Sequence, residues 1–168
     1  MSGQGPHPEE VKEALRLLQE VLGLQKWNIC IEYRELPDNG DGYGAIGTSV
    51  TYSAYREATI TLSKSDVDNL VLAVSVLRHE LLHILLSPLD LCWTMVRPLL
   101  STTTSLGEFS LESAVEDLID HQEHRIIAHL EGVLDQVGYS PEVIAKRSLE
   151  AYRRKGSLEA CVKAVGGA

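Results

Sequence analysis

A chain of 168 residues, 44% hydrophobic and 23% charged, is long enough for one domain with its own core and ordinary in composition for a globular protein. Its formal charge of -9 and pI near 5.1 argue against a nucleic-acid-binding surface, which needs a basic patch. The three cysteines, Cys30, Cys92 and Cys161, lie far apart and form no CxxC pair, so neither a disulfide framework nor a cysteine zinc site is indicated.

Residues 1–7 carry no basic and apolar signal pattern and read as a flexible start, which gives a cytoplasmic expectation. Pro8 and Glu9 then open a helix to about Leu22, with Val11, Ala14, Leu15, Leu18 and Leu22 at helical spacing, and Gly23 ends it. Trp27, Ile29, Ile31 and Tyr33 alternate with polar residues, the period of a strand with one face on a core. Turn chemistry follows over Pro37-Asp38-Asn39-Gly40-Asp41-Gly42. Ser49 to Tyr55 and Ala58 to Leu62 are rich in Val, Thr, Tyr and Ile, and the break at Arg56-Glu57 predicts a hairpin. Which strand forms the edge of the sheet is not legible.

The next stretch, Val67 to Leu86, is apolar all round, the mark of a buried helix. Ser65-Asp66 supplies its N-cap chemistry and Ser87-Pro88 is expected to stop it. Asp68, Asn69, Arg78, His79, Glu80 and His83 make a membrane span too costly, so no membrane partner is expected. Inside the run lies Arg78-His79-Glu80-Leu81-Leu82-His83, an HExxH pattern. On a helix, His79 and His83 stand one turn apart on one face and can reach a single metal ion, with Glu80 placed beside them as a base. Unpartnered, these polar groups would cost several kcal/mol in a core, and a metal supplies partners for them.

Beyond Pro88, Leu89 to Leu100 shows no clear period and suggests a loop or short helix over a cleft, followed by a polar linker over Ser101 to Gly107. A long helix is predicted from Ser110 to about Val137-Gly138, another from Pro141 to about Arg154 broken by Gly156, and a last short one over Ser157 to Val165. A catalytic zinc takes three protein ligands and leaves one position open, so the His pair needs a further donor. Glu123, set among Ile119, Ile126, Ile127 and Leu130, is the first candidate and Glu116 the alternative. His121 and His124 point off that stripe and rank behind them as ligands, though either could reach a substrate oxyanion.

With these residues in view, the chain resembles the gluzincin branch of zinc metallopeptidases, in particular the small minigluzincin-like proteins of phages and prophages. The likeness runs from Trp27 to Leu130 and rests on His79-Glu80-Leu81-Leu82-His83 and on Glu123-His124-Arg125-Ile126-Ile127, although Glu123 follows His83 by forty positions. It implies a single-domain α+β, zincin-like fold over 1–168, with a small mixed or antiparallel sheet, an N-terminal helix, a central motif helix and a mostly helical C-terminal half. It further implies a Zn2+ cofactor and hydrolysis of a peptide or protein substrate, with Glu80 as general base on the zinc's water. Small members of this group can be blocked by their own chain, a role open to the helical tail 141–168. A different class remains as the alternative: a non-catalytic interaction protein of phage type in which the metal staples two helices together.

Overall fold

A computed structural model describes residues 5–37, 46–101 and 111–166, leaving aside the side chains of 90, 91, 96–101, 111–114 and 158–166. The turn expected within 38–42 and the linker expected over 102–107 lie outside the described residues. The order is α1 (Pro8–Val21), β1 (Asn28–Arg34), β2 (Gly47–Tyr52), β3 (Glu57–Ser63), α2 (Leu70–Ser101), α3 (Leu111–Gln136) and α4 (Pro141–Gly166). This is the expected α+β arrangement in one compact domain. Its helix boundaries differ from the sequence-based ones in three places.

The first two concern α2, which begins later and ends later than Ser65-Asp66 and Ser87-Pro88 imply. Asn69 is its cap, accepting from Leu72 N at 2.9 Å, while Ser63 and Ser65 donate to the Asp66 carboxylate in the turn before it. At the other end the helix runs on through Pro88 and Pro98 to Ser101. Pro88 has no N–H to give the Ile84 carbonyl, a loss that normally breaks a helix. Here the Ser87 hydroxyl donates to that carbonyl at 2.8 Å and so replaces the missing bond. Ser87 Oγ also meets Ser53 Oγ, in the β2–β3 turn, at 2.9 Å, which ties the hairpin to the helix. The apolar stretch Leu70–Met95 is by length and composition alone able to cross a membrane, and more than half of its most apolar window is buried inside the molecule.

The third difference is α4, which passes through Gly156 without a break. A glycine inside a helix costs only about 1 kcal/mol against alanine, too little to end it where packing holds both sides. Gly138 behaves as expected, closing α3 with φ 86°. α4 packs on α1 and α2, and Lys155 pairs with the buried Glu13 of α1. Burial alone would push the Glu13 carboxyl up, but Arg16 and Lys155 outweigh it and hold Glu13 below the usual carboxylate range.

The sheet runs β1-β3-β2, with β1 parallel and β2 antiparallel to β3. β3 is therefore central, and its Ala58, Ile60 and Leu62 meet Val11, Ala14 and Leu18 of α1 and Val74, Leu77 and Leu81 of α2 in the core. β2 is an edge, laid over the motif helix. At Gly47 the approach is so close that a Cβ would come 2.2 Å from Val76 Cγ1, so any other residue forces a neighbour to move. Gly47→Ala should therefore destabilise the fold by about 1–3 kcal/mol in urea unfolding, since Val76 must leave its rotamer or β2 and α2 must move apart. A loss no larger than that of an exposed strand glycine would show the contact to be soft.

Candidate metal centre

The helical register sets the site. His79 and His83 stand one turn apart, and their Nε2 atoms are 3.3 Å from each other. Two nitrogens each about 2.05 Å from one tetrahedral ion would be about 3.3 Å apart, so the pair already has the spacing of two ligands on one metal.

What faces the other side of each ring decides which nitrogen is free. His83 Nδ1 meets Glu123 Oε1 at 2.9 Å, and because a carboxylate only accepts, Nδ1 carries the proton. His79 Nδ1 faces Glu131 Oε1 at 3.5 Å. Both carboxylates come from α3. From the same helix, the His124 ring turns its Nδ1 onto the Asp120 carbonyl at 2.9 Å. With Nδ1–H donated, Nε2 keeps a lone pair, the form in which imidazole binds a metal. His79, His83 and His124 each offer a ring nitrogen within 4.8 Å of the others, and this cluster could hold a metal ion. Bare lone pairs at such distances repel, so the donor set is suited to a cation at its centre.

Arg78 explains how α3 is held in place. Buried beside the motif, it pairs with Asp135, reaches the Tyr139 carbonyl at 3.4 Å, and has Glu131 Oε1 3.9 Å from its Nε. The arginine thereby clamps the C-terminal end of α3 onto α2 and keeps Glu131 close to His79.

Glu80 is only 7% exposed, and its Oε2 accepts from Ser49 Oγ of β2 at 2.7 Å. It lines a cleft of about 480 Å³ whose walls are Gly47, Thr48, Ser49 and Thr51 on one side and His79, His83, Glu123 and His124 on the other. The edge strand and the histidine cluster thus share one open space. No described side chain of α4 lines it.

The residues singled out from the sequence fall as follows. His79, Glu80, His83 and Glu123 come together in the cleft. Glu123 meets His83 from its Nδ1 edge, the side opposite to the shared Nε2 position. Glu116, two turns earlier on α3, is not among the cleft's lining residues, and neither is the exposed His121. His124, set aside in the sequence as pointing off the stripe, faces the motif helix, as does Glu131. The reason is the width of the contact. Ile127, fully buried, marks the line of α3 that meets α2, and positions 123, 124 and 131 all flank it. A usable signal was present in Asp120, His124, Ile127 and Glu131, which recur at helical spacing. Comparison of the chain with protein-family models, with curated proteins and with solved structures finds no match.

Proposed function

We propose that this protein is a zinc-dependent peptidase of HExxH type in which a histidine, rather than a glutamate, completes the ligand set. One observation carries the reading: three imidazoles, two of them hydrogen-bonded through Nδ1 and the third facing Glu131 there, bring ring nitrogens within 4.8 Å of one another at an open cleft, with a buried carboxylate beside them. His79, His83 and His124 would hold the ion, and Glu123 and Glu131 would orient the first two rings and raise their basicity. A bound zinc supplies Lewis-acid polarisation of the scissile carbonyl and makes a nearby water more acidic. Glu80 then takes the proton of that water and delivers it to the departing amine. Ser49 holds Glu80 in position from the strand above. Among the described residues, β2 has no strand partner on its outer side, so an extended peptide can add to that edge by main-chain hydrogen bonds and lie across the cleft.

Incubation of the purified protein with a mixed peptide library, with and without a chelator, tests this. Cleavage that the chelator abolishes and added zinc restores is the expected outcome. Absence of cleavage at full zinc occupancy would contradict it.

A second reading has an observation of its own: every donor lies on α2 or α3, so a metal here would staple two long helices. Both readings expect zinc to raise the melting temperature. Only the first expects peptides to be cut.

A further inference from the structure

Gly156 weakens α4 relative to alanine, and packing does not call for it, since a Cβ there would meet nothing within 4 Å. What the missing side chain leaves is space. Gly156 lines a half-open cleft of about 510 Å³ between α4 and α1, with Tyr152 one turn before it and Arg153 and Lys155 on either side of it around the helix. The facing stripe of α1 is Glu9, Lys12, Glu13 and Arg16, at i, i+3, i+4 and i+7, beside the apolar positions that α1 gives to the core. Charge in this cleft runs against the rest of the molecule: four cations line it with two carboxylates, in a chain of net charge -9. Both carboxylates are engaged. Glu9 Oε1 accepts from Lys12 at 2.6 Å, and the buried Glu13 accepts from Arg16 at 2.7 Å and from Lys155 as well. Arg16 also meets Glu20, which does not line the cleft, and the local excess is still positive. Arg153 has no acidic partner among the described residues.

A plain ion-pair face between two helices needs no glycine and leaves no guanidinium over. We propose that this cleft binds a small phosphate- or carboxylate-bearing anion, held between Arg153 of α4 and Lys12 and Arg16 of α1, with room for its body over Gly156. Arginine and lysine are the side chains that bind both kinds of oxyanion. Tyr152, whose ring also packs against His7 with centroids 5.5 Å apart, offers a flat face to the rest of the ligand. Because the contacts come from two helices, the bound anion ties α4 to α1 and stabilises their packing. The site is separate from the metal cleft and independent of the chemistry proposed there.

The test is an amide-resolved NMR titration of the full chain at constant ionic strength, with inorganic phosphate in one arm, sodium succinate in the other and chloride as the balancing ion. The amides of Arg16, Arg153 and Gly156 should move saturably in at least one arm, and the arm with the tighter binding names the oxyanion. Arg153→Ala should weaken that binding about 10–100-fold, the usual effect of losing a hydrogen bond to a charged group. Gly156→Leu should abolish it while the melting temperature stays level or rises, because the new side chain fills the cleft and leucine is the better helix former. Lys146→Ala, which removes an exposed cation of α4 outside the cleft, should bind as the native chain does. Absent or unsaturable shifts in both arms overturn the proposal. So does binding that Lys146→Ala weakens as much as Arg153→Ala, or binding that survives both cleft variants. Should Gly156→Leu melt early, the comparison of Arg153→Ala with Lys146→Ala decides alone.

Discussion

Glu80→Gln is expected to bind as much zinc as the native chain and to lose about 10²–10⁴-fold in kcat, the usual contribution of a positioned general base. Glutamine has the shape of glutamate and can keep the Ser49 contact, now 2.7 Å long, so neither the packing under β2 nor the histidine cluster should be disturbed. What disappears is the ability to take a proton. Elemental analysis and steady-state kinetics on the same preparation separate the two properties. Native turnover in the variant would remove Glu80 as the base, and a loss of zinc with turnover would move it from the chemistry to the metal's support.

The second large effect concerns the donors on α3. His124→Ala should weaken zinc binding well beyond the 10–100-fold that follows loss of a supporting partner, because it removes a ligand rather than a group that orients one. Glu123→Ala should fall in the 10–100-fold range, since His83 keeps its Nε2 and loses only the carboxylate 2.9 Å from its Nδ1. Glu116→Ala should change little. Zinc affinities from competition with a calibrated chelator rank the three variants. If Glu123→Ala costs as much as His83→Ala while His124→Ala costs nothing, the carboxylate is the third ligand and the histidine is a bystander.

The ranking also bears on what a reader of the sequence can and cannot recover. Periodicity located α1 and β1 because each buries one regular face, β-forming composition located the hairpin, an apolar run located the motif helix, and HExxH spacing brings His79 and His83 together wherever that helix forms. The end of α2 was hidden because Pro88 is a stop signal unless a neighbour satisfies the carbonyl it abandons, and nothing in the string Ser87-Pro88 announces that the serine does so. The edge position of β2 depends on β1 pairing parallel with β3, a long-range choice with no local mark. Glu123 was visible as a charge among apolar residues, but which of Glu123 and His124 turns its donor toward the histidine pair depends on the rotation of α3 about its axis. That rotation is set by the buried Ile127 on the line where α3 meets α2 and by Arg78 holding Asp135, contacts between elements distant in the chain.

The most direct measurement is diffraction from crystals grown with zinc, recorded on both sides of the zinc absorption edge. The account predicts one anomalous peak per chain, within bonding reach of His79 Nε2 and His83 Nε2 and of one donor from α3, with the side toward β2 open. No peak at the histidine cluster under saturating zinc, or a peak closed off by four protein ligands, would contradict it.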